Sequence, residues 1–136
     1  MRLVVDTNVI VSALLTRRGK PGQIVDRILD GRICAIYSAE ILQEYRDVLG
    51  RAKFSFDPQE VTDFLDAIEN SEEPIITSAP RIPSIHFPDP SDAVFFLVAH
   101  AAQCPLVTGN LKHFPKNSGV VVFSPADLVG RMASSR

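Results

Sequence analysis

Apolar positions along this chain follow two rhythms. Short continuous runs, Leu3-Val4-Val5, Ile33 to Tyr37, Leu106-Val107 with its flanking Pro105 and Thr108, and Val120 to Phe123, read as buried strands. Between them the apolar residues recur with a helical period. Val9, Ile10, Ala13 and Leu14 predict a short helix after the first strand. Ile24, Val25, Ile28 and Leu29 form the core face of a second, opened by Pro21 and Gly22 and closed by Gly31. Ser38 caps a third that runs to about Leu49, with Ile41, Leu42, Tyr45, Val48 and Leu49 as its stripe. Asp57-Pro58-Gln59-Glu60 has the form of a capping box ahead of Val61, Phe64, Leu65 and Ile68. A short strand is expected around Ile75-Ile76 in an otherwise extended, proline-punctuated connection. Asp89-Pro90-Ser91-Asp92 opens a helix that is apolar nearly all round and so should be the most buried. Ser124-Pro125-Ala126-Asp127 begins the last helix, and Ser134-Ser135-Arg136 should fray.

Strands alternating with helices imply right-handed crossovers. The expected fold is a three-layer α/β/α sandwich around a mainly parallel sheet, formed as one domain over residues 1–136. Composition agrees: hydrophobic residues make up 46% and charged residues 22%, as in an ordinary globular protein. The net charge of −2 means that bulk charge does not draw the chain to nucleic acid, so such binding needs a local basic patch or bound cations. Cys34 and Cys104 stand far apart in apolar settings and read as reduced thiols, without zinc spacing. No secretory signal is visible and the apolar runs are too short to span a membrane, so the cytoplasm is the expected compartment and no membrane the expected partner.

The chemistry lies at the strand ends. Asp6 closes the first strand, at the carboxyl edge where open α/β sheets bind ligands, although it also qualifies as an ordinary helix cap. At about 100° per residue Glu44 falls beside the apolar stripe of its helix, roughly 40° from Val48, and leans toward the same edge. A boundary glutamate reaching into water is the plainer account of it. Asp89 and Asp92 sit at the mouth of the buried helix, where the helix dipole alone would favour acids. Thr108 and Asn110 follow another strand to the same edge. Two carboxylates about 4 Å apart repel by roughly 4 kcal/mol at an effective dielectric of about 20. A cluster of them calls for protons or for a hard, oxygen-binding cation, Mg²⁺ or Mn²⁺. Arg17, Arg18, Lys20, Lys53 and Lys112 are candidates for phosphate contacts, while His113 could be a ligand but reads more simply as a surface loop residue.

Val4-Val5-Asp6-Thr7-Asn8-Val9, Glu44, Asp89-Pro90-Ser91-Asp92 and Leu106-Val107-Thr108-Gly109-Asn110 occur in an order and at a spacing that resembles the PIN-domain family, and most closely its toxin branch. The resemblance implies a metal-dependent ribonuclease whose acidic ligands match Asp6, Glu44 and Asp92, with Thr7 and Asn8 as the polar residues after the first acid. Asn110 stands where the family commonly has a fourth aspartate, which removes one charge from the site. The resemblance also implies an RNA substrate, an antitoxin covering the cleft, and a homodimer. Two other readings remain open from the residues alone. One is a non-catalytic binding module of the same fold with a weakened metal site. The other is an aspartyl phosphotransfer or receiver-like domain using Asp6.

Overall fold

A computed structural model describes residues 1–70, 87, 90–115 and 119–134. The expected strand at Ile75-Ile76, the capping role of Asp89 and the fraying of Ser135 and Arg136 lie outside the described residues. The elements in chain order are β1 (Arg2–Val5), α1 (Thr7–Leu15), α2 (Lys20–Leu29), β2 (Cys34–Ala35), α3 (Ala39–Leu49), α4 (Pro58–Glu69), α5 (Pro90–Ala102), β3 (Leu106–Val107), a 3-10 turn (Leu111–His113), β4 (Val122–Phe123) and α6 (Pro125–Ser134).

Among the described residues the four strands form an all-parallel sheet in the order β2-β1-β3-β4. With the helices around it, the chain is a three-layer α/β/α fold. Leu3, Val4 and Val5 of β1 are fully buried, as a central parallel strand covered on both faces requires. Chain order reverses at β1: β2 pairs on one side and β3 on the other. That reversal opens a crevice beyond the carboxyl ends of β1 and β3, the topological switch point at which α/β folds bind ligands.

The strands are shorter than their apolar runs predict. β2 keeps ladder pairing only over Cys34–Ala35 and β4 only over Val122–Phe123, although Ile33 and Ile36 remain buried. Hydrophobicity reports burial, whereas a ladder needs a neighbour in register. α2 begins at Lys20, ahead of Pro21, and Leu29 is exposed where the helical period placed it in the core. Gly22 is demanded by packing: a Cβ there would stand 1.9 Å from the Arg17 carbonyl oxygen. Gly31 takes φ +86° just past the helix, the left-handed conformation of a C′ glycine.

The caps follow the sequence closely. Ser38 Oγ accepts from Ile41 N at 3.2 Å, Asp57 Oδ1 from Gln59 N at 2.9 Å, and Ser124 Oγ from Asp127 N at 3.1 Å. α5 lies against β1, β3 and α3, with Phe95, Phe96, Val98 and Ala99 buried. Tyr45 of α3 is fully buried between Phe64 of α4 and Phe95 of α5, with ring centroids 6.1 and 6.4 Å away. This aromatic cluster fixes α3 and α5 against each other, and both carry acids to the crevice.

Candidate active site

Asp6 occupies the N-cap position of α1, yet its side chain makes no capping bond. Its Oδ2 accepts instead from Thr108 Oγ1 at 2.7 Å and from Asn8 Nδ2 at 3.3 Å. The carboxylate is thus held by side chains at the crevice beyond β1 and β3, without a capping bond to α1. Thr108 is completely buried, and its hydroxyl also accepts from Asn110 N at 3.1 Å. Asn8 Oδ1 accepts from Gly109 N at 3.1 Å, which ties the loop after β3 to the start of α1. Two strand ends are therefore sewn together by side chains, with Asp6 held between them.

Glu44 reaches the same place because its neighbour is anchored. Tyr45 Oη donates to the carbonyl oxygen of Val5 at 2.5 Å, one residue before Asp6. That bond pins α3 to the end of β1, and Thr7 Oγ1 donates to Glu44 Oε2. Asp92, the third residue of α5, is buried and meets His113 Nδ1 at 3.1 Å. Asp6, Thr7, Asn8, Glu44, Ser91 and Asp92 line one cavity of about 400 Å³, together with Val11, Ser12, Val48, Arg51, Phe54 and Phe95.

The electrostatics follow from that convergence. Burial above all, with the charges of Asp92 and Glu44 adding to it and the Thr108 hydrogen bond opposing it, pushes the Asp6 carboxyl up to about 6. At 1.36 kcal/mol per pH unit, the interval from 3.8 to about 6 corresponds to about 3 kcal/mol against ionising Asp6. Each fully buried aliphatic side chain contributes roughly 1.5–3 kcal/mol, so Leu3, Val4 and Val5 together outweigh that cost and hold the strand end in place. The Tyr45 hydroxyl is also pushed well up, by burial and then by Asp6 and Glu44, and so stays protonated as the donor to Val5.

The sequence-derived residues divide clearly. Asp6, Thr7, Asn8, Glu44 and Asp92 share the cavity, and Thr108 supports it from beneath. Asp89 lies outside the described residues. The Asn110 side chain is exposed and does not line the cavity, although its backbone is bonded to Thr108. None of Arg17, Arg18, Lys20, Lys53 and Lys112 lines it either. Arg17 is engaged by Asp26 at 2.5 Å and stands 4.0 Å from Glu60. Sequence reasoning passed over Tyr45, Arg51, Phe54 and the pairing of His113 with Asp92. Only Tyr45 carried a usable signal, since a phenol inside an apolar stripe needs a hydrogen-bond partner.

The family model of the PIN domain matches residues 2–112, a span that takes in Asp6, Glu44, Asp92 and Asn110. The chain belongs to the PIN-domain family. PIN domains are in general metal-dependent nucleases. No curated protein and no solved structure matches the chain. The donor set suits the family's chemistry: it is all oxygen, largely buried and mutually repelling, which a hard cation relieves. Among the described residues, no three acidic, histidine or cysteine side chains stand close enough to form a finished ligand shell. Among the described residues, no helix is long and apolar enough to cross a membrane.

Proposed function

We propose that this PIN-domain protein is a Mg²⁺- or Mn²⁺-dependent endoribonuclease that hydrolyses RNA phosphodiester bonds, and that it acts in the cytoplasm as the toxin of a toxin–antitoxin pair. The observation that carries the reading is the meeting of Asp6, Glu44 and Asp92 around one cavity at the switch point of the sheet. Asp6 and Asp92 would be the principal ligands, with Glu44 completing the set or orienting the attacking water; Asn110, whose side chain is exposed outside the cavity, would add an uncharged oxygen only by turning inward. A bound divalent cation at such a site lowers the pKa of water and stabilises charge on the phosphate. The chain's own contribution is orientation. Thr108 and Asn8 fix the Asp6 carboxylate, Thr7 fixes Glu44, and Tyr45 holds the backbone of α3 in register with β1.

The test is cleavage of RNA by the full chain with Mg²⁺ or Mn²⁺ and with excess EDTA. Cleavage lost to EDTA, and lost in Asp6→Asn and in Asp92→Asn, supports the reading. Undiminished cleavage in chelator overturns the metal mechanism. RNA binding without cleavage, with poor Mn²⁺ affinity by calorimetry, would make the protein a non-catalytic binding module of the same fold. Co-expression with the product of the neighbouring open reading frame tests the antitoxin, and gel filtration tests the homodimer.

A further inference from the structure

The cavity has a second half that the acid cluster does not use. Beyond Glu44, α3 presents Val48 to it, and the connection after the helix adds Arg51 and Phe54. Arg51 is the one cation among the described lining residues. It is exposed and makes no side-chain hydrogen bond or ion pair among the described residues. It follows Glu44 by seven residues, two past the end of α3. Phe54 is half-buried and stacked on Phe56, with ring centroids 5.1 Å apart and planes 8° from parallel. The turn that carries it is tied by Phe54 N to Arg51 O at 3.1 Å, Ser55 N to Ala52 O at 3.2 Å and Ser55 Oγ to Ala52 O at 3.1 Å. Ser55 holds φ +50° within it, a left-handed conformation uncommon for a residue with a side chain. Lys53 Nζ rests 5.1 Å from the Phe54 ring centroid, a contact at an exposed site that is weaker than a stacked base.

We propose that Arg51 and Phe54 form a flanking subsite of this cleft, which receives a nucleotide next to the scissile one, its phosphate on the guanidinium and its base on the phenyl ring. The proposal rests on the nuclease reading above and names where that substrate is gripped. Acids repel a polyanion, so the strand needs a cation close to the cluster but outside it, and Arg51 stands there. A ring held by a neighbouring ring is a preformed stacking platform, and stacking tolerates every base because each has a π-face. A base paired inside a duplex cannot reach such a platform. Neither a stacked base nor a phosphate contact reads the 2′-hydroxyl, so this subsite takes single-stranded RNA and DNA alike.

The experiment measures fluorescence anisotropy of a labelled, mixed-sequence single-stranded oligoribonucleotide, the matching oligodeoxyribonucleotide and the RNA duplex. It uses the full chain in an Asp6→Asn background, so that no cleavage intervenes. Phe54→Ala is expected to weaken single-strand binding about 5- to 150-fold, the loss that one stacked base implies, and Phe54→Tyr to restore it. Arg51→Gln is expected to flatten the dependence of log K on log salt by about 0.7, one phosphate contact on a single strand. Both single strands should bind, and the duplex weakly. Wild-type affinities in Phe54→Ala and Arg51→Gln, failure of Phe54→Tyr to restore binding, or a duplex bound as tightly as a single strand would each overturn the subsite. If the parent protein cleaves RNA while both variants match it in KM, the subsite falls and the nuclease reading stands. If it cleaves nothing and the binding losses appear, the subsite stands and the nuclease reading falls.

Discussion

Thr108 Oγ1 donates a 2.7 Å hydrogen bond to Asp6 Oδ2 across 102 residues of chain, joining the ends of two adjacent strands at the point where the sheet reverses its order. The bond does two things. It orients the carboxylate toward the crevice, and it favours the charged form against the burial that opposes it. Thr108→Val removes the donor while keeping the shape. The Asp6 carboxyl should then titrate above its present value of about 6, as followed by carboxyl carbon NMR. The fold should lose about 1.5–3 kcal/mol at neutral pH, the usual worth of a hydrogen bond to a charged group. Thr108→Ser should restore both, and a Thr108→Val protein with unchanged titration would refute the role.

The raised Asp6 carboxyl also sets a pH dependence for the metal-free protein. A group whose folded pKa lies above its unfolded value adds stability below the unfolded value, and that stability disappears as pH rises through the folded one. For Asp6 the window runs from 3.8 to about 6. Stability of the metal-free protein should therefore fall across that interval by up to about 3 kcal/mol from this residue. Asp6→Asn should remove the decline and melt higher than the parent at pH 7, while abolishing cleavage. Melts of both proteins between pH 4 and 8 decide it, and parallel curves would refute the cost of burying the Asp6 charge.

Tyr45→Phe isolates the anchoring of Glu44. The ring packing on Phe64 and Phe95 survives, and only the donor to Val5 is lost. A net cost of about 0.5–1.5 kcal/mol is expected for the hydrogen bond. Cleavage should fall in kcat with little change in KM, because the substrate never touches the phenol. A variant with parental kcat would leave Glu44 positioned by Thr7 alone.

Asn110→Asp tests the fourth position of the acid set. The Asn110 side chain is exposed, but its backbone is bonded to the same Thr108 hydroxyl that holds Asp6. An added carboxylate there should tighten Mn²⁺ binding by calorimetry and lower the melting temperature of the metal-free protein through repulsion with Asp6 and Asp92. Equal affinities and equal melting temperatures would limit the ligand set to Asp6, Glu44 and Asp92.

Gly22→Ala probes the packing of α1 on α2. Alanine is favoured over glycine in a helix by about 1 kcal/mol. Here its Cβ would stand 1.9 Å from the Arg17 carbonyl oxygen, so the loop between the helices must move. Overpacking of this kind costs about 1–3 kcal/mol, and the net effect should be a lower melting temperature. A stabilised variant would mean that the loop yields freely.

Much of this protein was determined by local pattern. The buried run Leu3-Val4-Val5, the caps at Ser38, Asp57 and Ser124, and the helical stripes of α3 and α4 depend on residues a few positions apart, and periodicity reports such neighbours directly. Asp6 and Asp92 were legible as candidates because each lies at the end of an element whose direction the pattern implies, and Glu44 because it lies beside the apolar stripe of its helix. Their company was not. That Asp6 ignores its cap to face Thr108, that Tyr45 carries α3 to Val5, and that His113 turns to Asp92 are contacts across 21 to 102 residues. The cations show the same limit. Arg17, Lys20 and Lys53 looked suitable by charge, yet Arg51 lines the cavity because the exit path of the chain from α3 puts it there. Only the tertiary structure decided these pairings, because hydrogen bonds and electrostatic coupling depend on distances in space that sequence separation does not encode.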